Sequence, residues 1–232
     1  MAGIRAHQNI PIMNSWITTP SVKELLDSLY ADSAKNDPLV HQAAESAAPK
    51  GGGAAHHHVR MAYMAVPPEF GRLLYSLARN SKARTIVEFG TSFGVSTIFL
   101  AAALRDNGEG GKVITTEFSP EKADRARKNI AAAGLSDWVE FRVGDALQTL
   151  ADSPRGIDLV FLDGSKTLYL DILKLIEPQL RSGAIIASDN TDHDGLDTFL
   201  DYIRNPAHGY TSSAILTGDE RGTRGHEITV RN

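Results

Sequence analysis

Residues 84–100 read RTIVEFGTSFGVSTIFL, and this stretch decides the fold. Its first seven residues form a short apolar run that is typical of a buried strand, and residues 95–105 follow a helical pattern. Gly90 and Gly94 lie in the turn between them, where a residue without Cβ lets the backbone approach a ligand. The spacing differs from the G-x-G-x-x-G fingerprint of dinucleotide-binding proteins, so these glycines by themselves are equally consistent with a plain tight turn.

The same alternation of apolar runs and amphipathic segments continues to residue 232. It predicts an α/β fold with a doubly wound, mostly parallel sheet of seven strands. The predicted strands cover residues 84–90, 112–117, 138–144, 157–163, 183–190, 210–216 and 225–231. The predicted helices cover residues 95–105, 120–133, 168–181 and 195–204, with Ser119 as an N-cap and Pro120 in the first turn of the second.

The first 60 residues have a different character from the α/β domain expected over residues 61–232. Residues 1–20 lack periodicity and indicate a loose arm. A helix is expected from Ser21 to about residue 47, with an apolar stripe formed by Val22, Leu25, Leu26 and Leu29. A further helix is expected to begin at Pro67 or Pro68, with Phe70, Leu73, Leu74 and Leu77 on its apolar side.

The segment between these two helices, residues 47–60, has the composition of a flexible loop and contains His56–His58. Three consecutive side chains point in different directions in regular structure. A solvated loop is therefore favoured over a metal site, although the pattern leaves both open.

Composition excludes several classes of function. The 232 residues include no cysteine, which rules out disulfides, thiolate nucleophiles and cysteine-based zinc sites. The net charge of −4 and pI of about 6.1 do not suggest nucleic acid or an anionic membrane as a partner. No apolar run has the length of a signal peptide or a membrane span, so a cytoplasmic protein is expected.

Acidic residues recur where the predicted strands end. In open α/β sheets, ligands bind at the carboxyl ends of the strands, so these positions are candidates for a site. Glu117 could accept hydrogen bonds from the ribose hydroxyls of an adenosine ligand, or it could be a solvated surface residue. Asp145 could accept from an adenine amino group, and is equally well explained as a helix N-cap.

Asp163, Asp189 and Asn190 form the sharper constellation. Three oxygen ligands from two neighbouring strand ends suit a hard divalent cation such as Mg²⁺, and a cation would relieve the repulsion between the two carboxylates. Lys166, three residues after Asp163, can reach the same place. Beside a cation its ammonium form would be disfavoured, which makes it a candidate general base, although an exposed loop charge is the simpler alternative.

Several of these segments together resemble a known family. They match, in order and spacing, the catechol-O-methyltransferase-like, metal-dependent class of S-adenosylmethionine methyltransferases. The resemblance runs from about Met64 to the C-terminal residue. The motifs that carry it are VEFGTSFGVS (87–96), ITTEFSPEKA (114–123), GDALQ (144–148), VFLDGSKTLYL (160–170) and SGAIIASDN (182–190).

The resemblance implies a role for each matching position. The methionine part of the cofactor would lie near Gly90 and Ser96, with Glu88 in the same motif. The ribose would lie at Glu117, and the adenine would lie beside Asp145 and Ala146. The resemblance also implies that Val66 lies at the cofactor and substrate entrance. Mg²⁺ would be held by Asp163, Asp189 and Asn190, and Asp163 would border the cofactor as well. Lys166 would be the base.

The expected function is therefore methyl transfer from S-adenosylmethionine to an aromatic hydroxyl of a small molecule, with catechol-like acceptors favoured by metal geometry. A metal-independent methyltransferase, an NAD-dependent oxidoreductase and a non-catalytic adenosine-binding protein are the alternatives. The missing third glycine argues against the oxidoreductase, and the set of Asp163, Lys166, Asp189 and Asn190 argues against a pure binder. A homodimer is a further expectation, because the N-terminal helix has an apolar stripe without an evident partner.

Overall fold

The computed structural model describes residues 15–47, 61–108, 110–219 and 222–232. Seven strands form one sheet in the order β3-β2-β1-β4-β5-β7-β6. The pairs from β3 to β5 are parallel, whereas β7 runs antiparallel to both β5 and β6. The predicted mostly parallel sheet is confirmed. Its strands are β1 (Thr85–Phe89), β2 (Lys112–Glu117), β3 (Val139–Val143), β4 (Ile157–Leu162), β5 (Leu180–Ser188), β6 (Tyr210–Asp219) and β7 (Gly222–Arg231).

Helices cover both faces of the sheet. They are α1 (Pro20–Ala47), α2 (Pro68–Asn80), α3 (Val95–Asn107), α4 (Pro120–Ala132), α5 (Ala146–Thr149), α6 (Tyr169–Ile176) and α7 (Asp197–Arg204). Successive strand residues such as Ile86 and Val87 are fully buried in two separate apolar cores, because side chains alternate between the faces of a strand. The first core includes residues of α1 to α4, and the second includes residues of α5 to α7.

The strand order reverses between β1 and β4. The chain moves outward from β1 through β2 to β3, and then crosses to β4 and β5 on the other side. Loops that leave two such neighbouring strands diverge to opposite faces of the sheet, which opens a crevice at their carboxyl ends. The fold therefore places the loops that begin at Gly90 and Asp163 on either side of this crevice.

The N-terminal helix packs against the α/β domain as its apolar stripe predicts. Val22, Leu26 and Leu29 are buried in the first core, and Leu25 is half-buried against it. The helix begins at Pro20, one residue before the predicted start at Ser21. Just before it, the indole of Trp16 donates a hydrogen bond of 2.9 Å to the carbonyl of Ala133.

Most element boundaries agree with the predictions, and the main correction concerns residues 168–181. The helix there covers only Tyr169–Ile176, because Pro178 lies in a 3₁₀ turn over Glu177–Gln179 and β5 begins at Leu180. The last two strands are longer than expected. The proposed loop with His56–His58 and most of the predicted N-terminal arm lie outside the described residues.

Within the ranges that the structure describes, no helix combines the length and the apolar composition needed to cross a membrane.

Gly71 provides a test of the packing between α2 and α3. A Cβ at this position would lie 2.5 Å from the ring of Phe99, so Gly71→Ala should overpack the first core despite alanine's higher helix propensity. We expect a loss of about 1–3 kcal/mol in the free energy of unfolding, measured by urea denaturation. Ser76→Ala, at an exposed position of the same helix, is the control. A stabilised Gly71→Ala variant would contradict this packing.

Candidate functional site

The site begins with the glycine turn after β1. Gly90 has a φ of +103°, and a Cβ there would lie 2.5 Å from the carbonyl oxygen of Asp163. The amides of Gly90 and Thr91 both donate to the carbonyl of Thr116, at 3.2 and 3.0 Å. Glycine is thus required both by the backbone conformation and by the close approach of the two loops.

A cleft lies over this turn and collects several of the predicted cofactor residues. It is lined by Val66, Gly90, Ser96 and Asp163, together with other residues of the segments 63–66 and 90–96. The sequence motifs give no sign that Tyr63 matters here. Its carbonyl accepts a 2.6 Å hydrogen bond from the hydroxyl of Ser92, which fixes the residues before α2 against the glycine turn.

Glu117 ends β2 next to the same turn. Its carboxylate accepts hydrogen bonds of 2.9 Å from the backbone amides of Ser92 and Ser119, one on each oxygen. The side chain is half-buried. These bonds hold the carboxylate of Glu117 at the edge of the sheet where the parallel strands end. The expected contact between Glu117 and a ribose stays a prediction.

Asp145 follows β3 and caps the short helix α5. Its Oδ1 accepts a hydrogen bond of 3.0 Å from the amide of Leu147, and Ala146 is buried behind it. The N-cap alternative is therefore confirmed. A cap leaves acceptor capacity on a carboxylate, so the cap does not conflict with an adenine contact.

Glu88 is fully buried beneath the turn. Its carboxyl accepts hydrogen bonds of 2.6 Å from the hydroxyls of Ser96, Thr97 and Thr115. Burial raises the pKa of Glu88 to about 7, and the three hydroxyl donors offset only part of that effect. Among the described residues, Glu88 and Ser96 thus bind one another, which holds the start of α3 against β1.

The parallel register brings Asp163 and Asp189 together. The amide of Asp163 donates to the carbonyl of Phe89 at 2.8 Å, and the amide of Asp189 donates to the carbonyl of Leu162 at 2.9 Å. Each aspartate thus continues the ladder one residue past its strand. Their carboxyl groups lie within hydrogen-bonding reach of each other, as the strand ends predict.

Two cationic or potentially cationic groups contact this pair. The Nζ of Lys166 lies 3.4 Å from Oδ1 of Asp163 and donates a 2.6 Å hydrogen bond to the hydroxyl of Tyr169. The Nδ1 of His226 lies 2.6 Å from Oδ1 of Asp189. Lys166 is mostly buried by these contacts, so the alternative of an exposed loop charge is wrong.

The electrostatics of the two carboxyl groups differ. Burial and the neighbouring carboxylate of Asp189 raise the pKa of Asp163 well above its usual value. Burial also acts to raise the pKa of Asp189, but His226 and Lys166 outweigh it and bring that pKa below its usual value. The carboxyl of Asp189 is therefore the one of the two that ionises more readily.

Asn190 completes the predicted oxygen ligands. It follows Asp189 with a left-handed φ of +52°, a conformation that asparagine tolerates better than most residues. The donor chemistry of two carboxyls and one amide suits Mg²⁺. Within the described residues, however, no group of three or more His, Asp or Glu side chains is arranged to hold a metal ion.

The raised pKa of Glu88 predicts a pH-dependent stability. The folded chain binds this proton up to about pH 7, whereas the unfolded chain releases it near 4.5, so this carboxyl lowers stability as pH rises between those values. By pH 7 the shift from 4.5 to about 7 corresponds to about 3 kcal/mol. We expect Glu88→Gln to lose this part of the pH dependence.

Urea unfolding of the variant and of the wild type at pH 5, 6 and 7 measures the effect. The free energy of unfolding of Glu88→Gln should improve relative to the wild type as pH rises. Glu121→Gln, at an exposed position, is the control. A constant difference across this range would contradict the assigned pKa shift.

A model of a methyltransferase domain matches residues 87–191. The catechol O-methyltransferase of Niastella koreensis is 36% identical over 139 residues, which cover 58% of this chain and 62% of that protein. A protein of Mycobacterium bovis named "Putative O-methyltransferase" is 31% identical over 80% of this chain and 76% of its own length. The matched part thus spans about three fifths of the catechol O-methyltransferase and three quarters of the mycobacterial protein.

Solved structures agree with this assignment. The O-methyltransferase of Bacillus cereus in complex with SAH superimposes with a TM-score of 0.71 and 26% sequence identity, over 90% of this chain and 91% of that one. The matched residues 87–191 contain the glycine turn, Glu117, Asp145, Lys166 and both carboxyls of the pair. The chain belongs to the family of O-methyltransferases.

Proposed function

We propose that this protein transfers the methyl group of S-adenosylmethionine to a hydroxyl of a catechol-like or other aromatic small molecule, with assistance from Mg²⁺. The observation that carries the proposal is the pair of Asp163 and Asp189, with Lys166 beside it, at the edge of the cleft over Gly90. A base, a negatively charged edge and a cofactor cleft meet at this place.

The cofactor part of the proposal rests on the cleft and on the relatives. The structure from Bacillus cereus holds SAH, which is what S-adenosylmethionine becomes when its methyl group leaves. In this chain, Gly90 and Ser96 would border the methionine part, Glu117 the ribose, and Asp145 with Ala146 the adenine. The carboxylate of Glu117 keeps free acceptor capacity for two hydroxyls, because each of its oxygens accepts one backbone hydrogen bond.

Asp163, Asp189 and Asn190 would hold Mg²⁺. The fit rests on the chemistry of the donor set, because two carboxyls and one amide follow two neighbouring strand ends and offer the oxygen ligands that Mg²⁺ prefers. When bound, Mg²⁺ would stabilise the deprotonated form of an acceptor hydroxyl.

Lys166 would remove the proton from the acceptor hydroxyl. The acceptor oxygen then forms a bond to the methyl carbon while the bond from that carbon to sulfur breaks, and SAH leaves. The ammonium group that forms on Lys166 is stabilised by Asp163, at 3.4 Å. The hydrogen bond to Tyr169 holds the Nζ atom in place, so the protein contributes mainly alignment and charge stabilisation.

A metal-independent O-methyltransferase is the second candidate. Lys166 and His226 each contact one carboxyl of the pair, so positive or hydrogen-bonding partners are already present. This arrangement offsets part of the repulsion between the carboxyls without a metal ion.

Chelation separates the two candidates. With S-adenosylmethionine and catechol as substrates, we expect formation of the methylated product to stop in EDTA and to return when Mg²⁺ is added in excess. The measurement is product formation by chromatography, with SAH formation as a second readout. Undiminished turnover in EDTA would support the metal-independent candidate instead.

Lys166→Met tests the base. Methionine keeps most of the length of the side chain and an unbranched apolar stem, but it cannot accept a proton. We expect kcat to fall by about 10²–10⁴-fold, with the dissociation constant of S-adenosylmethionine changed less than about 2-fold. Lys128→Met, at an exposed position of α4, is the matched control. A Lys166→Met variant with the wild-type kcat would remove Lys166 as the base.

A further inference from the structure

His226 faces the carboxyl pair from the antiparallel side of the sheet. Strands β5 and β7 are paired from Ile185 with Val230 to Ser188 with Glu227. The next pair in this register is Asp189 with His226, so both side chains lie on the same face of the sheet. The contact between them follows from the strand pairing and does not depend on a flexible loop.

Both nitrogens of the His226 ring lie close to a polar side-chain atom. The Nδ1 atom lies 2.6 Å from Oδ1 of Asp189, and the Nε2 atom lies 2.6 Å from the hydroxyl of Thr217 on β6. The ring stacks on Phe70 of α2, with centroids 3.8 Å apart and planes 13° from parallel. The imidazole is fully buried, so its orientation is fixed on three sides.

The polar atoms at this contact have no alternative partner. Oδ1 of Asp189 and Nδ1 of His226 are both buried, and neither makes a well-aligned hydrogen bond to another described residue. Their separation is that of a hydrogen bond although its angle is not ideal. A buried carboxylate oxygen and a buried ring nitrogen left apart would each cost a full desolvation penalty, so the two atoms stabilise each other.

We propose that His226 is a positioning residue for Asp189. A carboxylate oxygen can only accept, so Nδ1 carries a proton in this contact, while Nε2 meets the hydroxyl of Thr217 at 2.6 Å. Nδ1–H then donates to Oδ1 of Asp189, and this fixes the rotation of the carboxylate so that its other oxygen is presented to the site beside Asp163. Outer contacts of this kind orient the carboxylates that bind metal ions. The proposal rests on the cation site of the proposed function.

Divalent-ion affinity is the direct test, because it does not depend on turnover. His226→Phe keeps a ring that can stack on Phe70 but removes both nitrogens, whereas His226→Asn restores a donor near the position of Nδ1. With Mn²⁺ as the probe in calorimetry and electron paramagnetic resonance, His226→Phe should bind about 10-fold or more weakly. His226→Asn should recover most of the affinity.

The affinity for SAH is the control for correct folding. It should stay within about 2-fold of wild type in both variants, whereas a general loss of structure would weaken the binding of SAH and of Mn²⁺ together. His208→Phe is the matched control, because the ring of His208 also stacks on an aromatic ring, that of Tyr202, with centroids 4.1 Å apart. His208 lies just before β6, at the edge of the sheet opposite to the carboxyl pair. The His208→Phe variant should bind Mn²⁺ as the wild type does. Thr217→Val supplies an independent test if His226→Phe folds poorly, with an expected loss of about 2- to 10-fold.

The outcomes distinguish this proposal from the proposed function. Wild-type Mn²⁺ affinity in folded His226→Phe, or in Thr217→Val if His226→Phe fails to fold, overturns the role of His226 and leaves the cation site intact. Failure of the wild-type protein to bind Mn²⁺ overturns both the cation site and the positioning role. Weakened binding in His226→Phe with recovery in His226→Asn supports the proposal.

Discussion

The rest of the site depends on two carboxyl groups that are buried next to each other. The parallel register of β4 and β5 places Asp163 and Asp189 one residue past their strands, so the backbone itself forces them together. Burial and mutual repulsion raise the pKa of Asp163. Positive charge or hydrogen-bond donors must lie nearby, and Lys166 and His226 both contact the pair.

The backbone of Asp163 also shapes the cleft over Gly90. Because the carbonyl of Asp163 approaches the turn after β1, Gly90 cannot carry a side chain. The N-terminal helix joins the cleft from the other direction, since the carboxylate of Asp37 accepts hydrogen bonds from the amides of Tyr63 and Met64, at 2.7 and 3.0 Å. The segment before α2 is thus held between α1 and the glycine turn, so the extension supports one wall of the cleft without lining it.

Sequence reasoning succeeds where local rules determine position. The carboxyl ends of parallel strands meet at one edge, so the proximity of Asp163 and Asp189 follows once the strands are recognised. The spacing of Lys166 from Asp163 is also local. His226 could not be found this way, because its contact with Asp189, 37 residues earlier in the chain, depends on an antiparallel strand pairing that local rules do not predict. Tyr63 contributes through its backbone carbonyl, for which a side-chain motif gives no signal.

The charge of the pair bears on the proposed reaction. The proposed methyl donor is a positively charged sulfonium, and proton removal would leave a positively charged ammonium on Lys166. A negative edge formed by Asp163 and Asp189 would stabilise each of these charges, and a divalent cation as well. Because Tyr169 holds Nζ of Lys166 at 2.6 Å and also donates to the carbonyl of Leu162, the ammonium would form at a fixed place beside that edge. Burying two carboxyls costs folding free energy, and in the proposed reaction the same two groups would stabilise the positive charge that forms on Lys166.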